Sequence, residues 1–286
     1  MPSDNISLSI SIVVYKTDPA QLETALASVA SSTIPKFVYV VDNSADEALR
    51  PIAEKHGARY LRSGANLGFG RGHNLALTAL ENPSTYHLLL NPDISFGPGV
   101  LEELCSFMEH NPAIGWVMPR VLYPDGSHQE LCKRLPTPWD LFLRRFFGRY
   151  GIALFARSHN KFKCRDLDLS RACVVPNLSG CFALVRTSLL QALGGFDERF
   201  FLYLEDTDLV RRFGEISLTV FYPFVDVYHV RGRGSYRNMK LLRHHIRSAV
   251  LYFCKWGWVI DPKRSLGNRS CSTEEVTITM PARLLG

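Results

Sequence analysis

The 286-residue chain predicts an α/β protein, a mainly parallel sheet with helices on both faces, and three observations carry that prediction. Continuous apolar runs (SISIVVY, FVYVVD, HLLL) alternate with amphipathic stretches through residues 7–110, as buried parallel strands alternate with crossover helices. Polar and acidic residues gather where those runs end, which is where open α/β sheets bind ligands. The composition, 46% hydrophobic and 21% charged, is that of a folded globular chain.

Each element has its own local reason. Residues 7–15 (SLSISIVVY) read as a first strand, and Asp18 then caps a helix with Pro19 at its first position. FVYVVDNS (37–44) is a second strand, followed by a helix over roughly 46–56, and RYLRSG (59–64) is a third, shorter strand. After the glycine-rich turn NLGFGRGHN a helix is expected over roughly 73–82, then the strand HLLLN. Pro98 starts a further helix carrying Leu101, Leu104 and Met108 on one face. Right-handed crossovers make this half Rossmann-like.

The second half is less regular. A basic, aromatic stretch (132–171) precedes the strand VVPNLSGCFALVR and a short helix at 188–193. The loop GGFDERFFLY, the acidic turn LEDTDLVRR and the strand LTVFYPFVDVYHV follow, then a basic helix over 238–257. From Pro262 the composition is polar and aperiodic, which predicts a loose tail. The organisation is thus a nucleotide-binding half (1–125), an acceptor-side catalytic half (126–235), a basic aromatic helix (236–261) and a tail (262–286).

Composition also bounds location and partners. No run reaches the ~18 apolar residues that span a bilayer, and the N-terminus carries an acid with no basic cluster before its apolar part. Seven cysteines without a C-x-x-C pair suit buried thiols in a reducing, cytoplasmic compartment. The formal charge is +6, with Lys and Arg crowding 133–171 and 231–269. No nucleic-acid module accompanies it, so an anionic membrane face ranks ahead of nucleic acid. The segment 138–157, with Trp139, Phe142, Phe146 and Phe147 beside Arg144, Arg145 and Arg149, fits an interfacial helix and equally one packed into the core.

Four polar clusters stand at strand ends: Tyr15 to Asp18, Asp42 to Ser44, Asn66 to Asn74, and Asn91-Pro92-Asp93. Any one alone is a turn. Four along one edge suggest a site. Gly68, Gly70 and Gly72 alternate as G-x-G-x-G after the third strand, which disfavours a dinucleotide fingerprint. Small residues there would admit a ligand close to the backbone, at a helix N-terminus that favours anions. A carboxylate such as Asp93 beside that turn can hold Mg²⁺ or Mn²⁺ together with a substrate's phosphates.

In this order the motifs VVYKTD, VVDNS, NLGFGRGHN, LLLNPD, SGCFALVR, GGFDERFFLYLEDTDLVRR and YHVRG resemble the inverting family-two glycosyltransferases of the GT-A fold. They are most similar to bacterial rhamnosyltransferases of lipopolysaccharide and surface polysaccharide assembly. The resemblance covers about residues 8–235 and implies a role for each matching residue. Val14, Tyr15 and Thr17 would frame the nucleotide and Asp42 would bond its base. Asn66, Gly68 and Asn74 would shape the nucleotide-sugar pocket. Asn91 and Asp93 fill the D-x-D position, with Asn91 replacing its first acid and Asp93 on a Mg²⁺ or Mn²⁺ ion that His229 also ligates. Asp206 would be the general base, with Ser179, Gly180 and Glu205 at the substrate. Arg211 or Arg212 falls where a basic residue meets the diphosphate, although the Q-x-x-R-W pattern is absent.

The implied reaction moves L-rhamnose from dTDP-L-rhamnose to a glycan or glycolipid acceptor. A nucleoside diphosphate is a good leaving group once its charge is neutralised, so one base suffices, unlike the two carboxylates of a glycosidase. For Glu205 to Asp208 a second reading stands beside this one. Acids at a helix start with arginines at its end complement the helix dipole. A nucleotidyltransferase and a catalytically silent sugar-nucleotide binder are the alternative functions; the first lacks a basic glycine-rich loop at strand one, and the second should lack Asp93 or Asp206.

Overall fold

The computed structural model describes residues 6–81, 84–141, 156–230 and 239–271. Its strands are β1 (Leu8–Val14), β2 (Lys36–Asp42), β3 (Arg59–Arg62), β4 (Tyr86–Leu90), β5 (Ile94–Phe96), β6 (Ile114–Leu122), β7 (Cys173–Val174), β8 (Phe182–Arg186) and β9 (Leu218–His229). Its helices are α1 (Pro19–Ala30), α2 (Arg50–Lys55), α3 (Phe69–Thr78), α4 (Val100–His110), α5 (Ala156–Phe162), α6 (Thr187–Ala192), α7 (Glu205–Phe213), α8 (Met239–Trp256) and α9 (Pro262–Arg269). The strands form one sheet in the order β3-β2-β1-β4-β8-β6-β9-β5, with β7 added on β9.

The parallel block β3-β2-β1-β4 is the Rossmann-like half expected from the apolar runs. β8 then enters antiparallel to both β4 and β6, so the sheet is mixed. That reversal positions the site. Because β8 opposes β4, the start of β8 lies beside the end of β4, and Asn91 N–H donates to Cys181 O at 2.8 Å. β5 pairs antiparallel with β9, which sets Ile94 opposite His229 and brings Asp93 to the end of β9.

Several elements differ from the sequence reading: β5 is additional, VVPNLSGCFALVR divides into β7 and β8, and α3 starts at Phe69, inside the glycine-rich turn, where the helix was expected over 73–82. β6 was not expected, since Pro119 interrupts IGWVMPRVL; the register shifts at Pro119/Arg120 and the strand continues through that irregularity. The expected loose tail begins instead with α9, where Asp261 caps the helix by accepting from Arg264 N–H and Pro262 takes the first turn. Of the segment 138–157, residues 142–155 lie outside the described residues. No helix among the described residues is long and apolar enough to cross a membrane. None of the seven cysteines is in a disulfide, and all but Cys254 are buried.

One face of β1 buries Leu8, Ile10, Ile12 and Val14, while the opposite, equally dry face carries Ser9 and Ser11. These hydroxyls belong to a buried hydrogen-bonded chain. Ser84 Oγ lies 2.7 Å from Ser9 Oγ, and Ser9 Oγ 2.6 Å from His87 Nδ1. His87 Nε2 and His73 Nδ1 each lie 2.7 Å from Ser11 Oγ. Burial pushes the His87 pKa down to about 3; burial, then the neighbouring His87, pushes His73 well below its ordinary value. Both rings are therefore neutral in the folded chain and take up a proton only on unfolding. Their contribution to stability is whole above about pH 6.5, the unfolded value, and is lost as pH falls toward the folded values. By pH 5 His87 should have cost roughly 2 kcal/mol, with His73 acting in the same direction. Urea unfolding at pH 7.5 and pH 5 should show the loss, and His87→Asn should shrink the pH difference by roughly 2 kcal/mol. An unchanged difference in the variant would assign the acid sensitivity elsewhere.

Candidate active site

The N-terminus of α7 is built on strain. Tyr203 and Leu204 both hold left-handed backbone (φ 72° and 63°), a conformation costly for side chains of this kind. The kink delivers Glu205 and Asp206 to a cleft of about 340 Å³ that Asn91, Ser179, Gly180 and His229 also line. Asp206 Oδ2 accepts from Gly180 N–H at 3.2 Å and Oδ1 from Thr207 N–H at 2.7 Å, which fixes the carboxylate. A Cβ on Gly180 would stand 3.0 Å from Asp206 Cβ, so glycine here is what lets the carboxylate approach. Glu205 is 5% exposed, and its Oε2 has no hydrogen-bond partner. Burial, reinforced by the charge of Asp206, pushes Glu205 up to about 8. The apolar approach FFLYL thus keeps Glu205 protonated near neutral pH.

Asp93 and His229 meet at the neighbouring strand ends, with His229 Nε2 3.3 Å from Asp93 Oδ1. Behind the ring, Nδ1 lies 3.1 Å from Gln129 Oε1, and Gln129 Nε2 donates to His229 O at 2.8 Å. Burial pulls the His229 pKa down, but Asp93 and Cys181 outweigh it and the pKa is pushed up to about 9. The pair fits a divalent cation in donor chemistry: one hard carboxylate and one imidazole oriented from behind by an amide. Two donors leave the remaining positions to a diphosphate and water, and no group of three or more such side chains is found among the described residues.

The residues expected on the nucleotide side lie along the other strand ends. Val14 closes β1, Tyr15 is exposed, and Thr17 Oγ1 accepts from Tyr15 N–H at 3.2 Å. Asp42 is fully buried, with Oδ1 accepting from Ser44 N–H and Oδ2 from Tyr60 O–H, both at 2.7 Å. Asn66 Oδ1 accepts from Gly68 N–H at 3.0 Å.

Several sequence expectations are corrected here. The glycine turn admits protein, not ligand: a Cβ on Gly68 would meet Phe201 O at 2.0 Å, and Gly70 and Gly72 press on Phe196 and Val13. The first N–H of α3, on Phe69, is already donated to Phe201 O at 3.2 Å. Asn74 also works inward, its amide bonding Phe196 N–H, Phe196 O and Glu198 Oε1. Arg211 does not face the cleft: it is 2% exposed and forks onto Asp261 at 2.7 and 2.8 Å, beneath the Trp256 ring 4.0 Å away. Arg212 bonds Asp208 and the carbonyls of Leu193 and Gly195. Asp208 is likewise buried, bonded also by Lys255 and Trp256 Nε1.

Residues that sequence reasoning missed include Gln129 behind His229, and Lys133 and His245 lining the cleft. The basic stretches held the last two without distinguishing them; Gln129 had no signal at all.

The sequence profile described as Glycosyl transferase family 2 matches residues 9–194. The chain is 29% identical over 276 residues to the N-acetylglucosaminyl-diphospho-decaprenol L-rhamnosyltransferase of Mycobacterium tuberculosis (strain ATCC 25618 / H37Rv), covering 90% of this chain and 88% of that one. It is 25% identical over 246 residues to the rhamnosyltransferase WbbL of Escherichia coli (strain K12), covering 82% and 85% respectively. Among solved structures, the mannosyltransferase PcManGT from Pyrobaculum calidifontis, in complex with GDP-Man and Mn²⁺, superposes with a TM-score of 0.59 at 13% identity, over 94% of this chain and 70% of that one. S. aureus TarS 1-349 superposes with a TM-score of 0.53 at 17% identity; the alignment takes in 78% of this chain and 60% of TarS 1-349. These likenesses support the GT-A fold, and with the family profile matching well over half of the residues, this chain is a glycosyltransferase that belongs to glycosyl transferase family 2.

Proposed function

We propose that the protein transfers L-rhamnose, with inversion, from dTDP-L-rhamnose to a hydroxyl of a glycan or glycolipid acceptor of the kind built in lipopolysaccharide and surface polysaccharide assembly. The observation that carries this reading is Asp206, held by Gly180 N–H in one cleft with Glu205 and His229, next to the Asp93–His229 pair. The choice of sugar draws on the two rhamnosyltransferase relatives, one of which is named for a lipid-diphosphate acceptor.

Residues 1–125 form the donor half on this reading and 126–235 the acceptor and catalytic half. Asp206 accepts the acceptor hydroxyl's proton as that oxygen bonds to the anomeric carbon. The bond from that carbon to the diphosphate breaks on the opposite face, and nucleoside diphosphate leaves. A divalent cation, Mg²⁺ or Mn²⁺, when held by Asp93, His229 and the donor's diphosphate, supplies Lewis-acid neutralisation of the leaving charge. Neutral Glu205 can donate a hydrogen bond from its carboxyl to an acceptor hydroxyl, which a carboxylate cannot. Tyr15, Thr17, Asp42 and Asn66 flank the nucleotide, and Ser179 and Gly180 the sugar. We assign the reaction to the cytoplasm because the cysteines are free thiols and six of the seven are buried.

Calorimetric titration of dTDP tests the donor side. With Mn²⁺ present the nucleotide should bind, and EDTA or Asp93→Ala should each weaken it by roughly tenfold or more, the loss expected of an essential ligand. Equal affinity in all three cases would return Asp93 to being a turn residue.

A further inference from the structure

Beyond α8 the chain exposes an apolar tip that the transfer chemistry does not use. Val259 and Ile260 are each 84% exposed, on the turn joining α8 to α9, and Trp258 stands beside them. The turn is rigid. Gly257 has φ 104° and its N–H donates to Phe253 O at 2.8 Å; a Cβ there would meet Ile260 O at 2.4 Å. Asp261, the next residue, is anchored by the buried pair with Arg211 and caps α9. A turn pinned on both sides cannot fold its aliphatic side chains inward, so they are presented permanently to whatever lies outside.

The apolar surface continues along α8. Met239, Ile246, Val250 and Cys254 recur at helical spacing on its exposed side, with Arg243 and Arg247 exposed among them. Leu266 extends the patch onto α9 at 70% exposure. Charge selects the partner: of the seven Lys or Arg in residues 239–271, Arg264 is buried with the one acid, Asp261, and Lys255 and Lys263 pair with acids elsewhere, which leaves Lys240, Arg243, Arg247 and Arg269 exposed. A second copy of this chain would bring the same positive charge to the contact. A surface that combines an apolar interior with negative headgroups complements both features. The inner side of the same helix contributes Leu241, Leu242 and His245 to the catalytic cleft.

We propose that the Trp258-Val259-Ile260 turn inserts into the interfacial layer of an anionic lipid bilayer, with the Arg243/Arg247 face of α8 lying on its headgroups. The attachment holds the acceptor cleft at the membrane surface. It rests on the exposed turn and not on the identity of the sugar, although it suits the glycolipid form of the acceptor.

The test is sedimentation of the full chain with vesicles of phosphatidylcholine alone and of about 7:3 phosphatidylcholine to phosphatidylglycerol. Wild type should pellet with the anionic vesicles at low salt, and roughly tenfold less with phosphatidylcholine alone or at high salt. Val259→Asp/Ile260→Asp should lose binding by roughly tenfold or more, keeping the wild-type melting temperature and the rate of transfer to a water-soluble acceptor. Arg243→Glu/Arg247→Glu should lose the preference for anionic lipid. Equal pelleting of the tip variant, or wild type left in the supernatant with anionic vesicles, overturns the proposal. So does a concentration-dependent dimer that the tip variant dissolves in place of vesicle binding. Vesicle binding without transfer to any soluble acceptor would count against the proposed function while leaving the attachment standing.

Discussion

Asp206→Asn should reduce transfer by about 10²- to 10⁴-fold while leaving affinity for the nucleotide unchanged. The amide oxygen can still accept from Gly180 N–H or Thr207 N–H, which lie 3.2 and 2.7 Å from the carboxylate oxygens in the native protein, so the strained start of α7 should survive. What is lost is the proton acceptor. On the proposed reading donor binding belongs to other strand ends and to the Asp93–His229 pair, so calorimetry with dTDP separates a dead base from a collapsed cleft. Transfer within about tenfold of wild type, too small a loss for a general base, would remove Asp206 from that role.

Arg211→Met should cost about 3–5 kcal/mol of stability, the usual result of removing one partner of a buried ion pair. Asp261 is 6% exposed and would keep for its charge its bond to Arg264 N–H, at 2.9 Å, and the longer ion pair with the Arg264 guanidinium, at 4.0 Å. The guanidinium also lies 3.1 Å from Tyr252 O–H, so the change disturbs α7, α8 and α9 together. Arg211→Met/Asp261→Asn should recover part of the loss, since Asn still caps α9 and the buried carboxylate no longer lacks its main partner. Urea unfolding measures both variants. If Arg211 instead met the diphosphate, Arg211→Met would weaken nucleotide binding and leave stability within about 1 kcal/mol, as surface substitutions do.

The contrast between these two residues shows what the sequence could express. Asp206 was legible because the acid, the aromatic run before it and SGCFALVR stand in a set order along the chain. The parallel half was legible because strands buried on both faces are apolar throughout. Arg211 was not, because its partner Asp261 comes fifty residues later, and an arginine near a motif looks the same whether it points into a cleft or into the core. The glycines misled for a similar reason: what a Cβ would strike at Gly68 is Phe201 O, a contact that exists only after the chain has folded. β6 was hidden by Pro119, and α9 by a polar composition whose order comes from Asp261 and its buried pair. Ser9 and Ser11 looked like ordinary interruptions of a strand, and only the sheet brings His87 and His73 to them.

A single inverting displacement leaves its mark on the product's anomeric configuration, and that configuration is the measurement to make. The wild-type protein, Mn²⁺, dTDP-L-rhamnose and a GlcNAc-diphospho-lipid analogue are incubated, and the glycoside is examined by NMR. The product should be a rhamnoside whose anomeric configuration is opposite to that of the donor, formed faster than any product from UDP- or GDP-linked sugars. Retention of configuration, or hydrolysis of the donor without a glycoside from any nucleotide sugar, would contradict it.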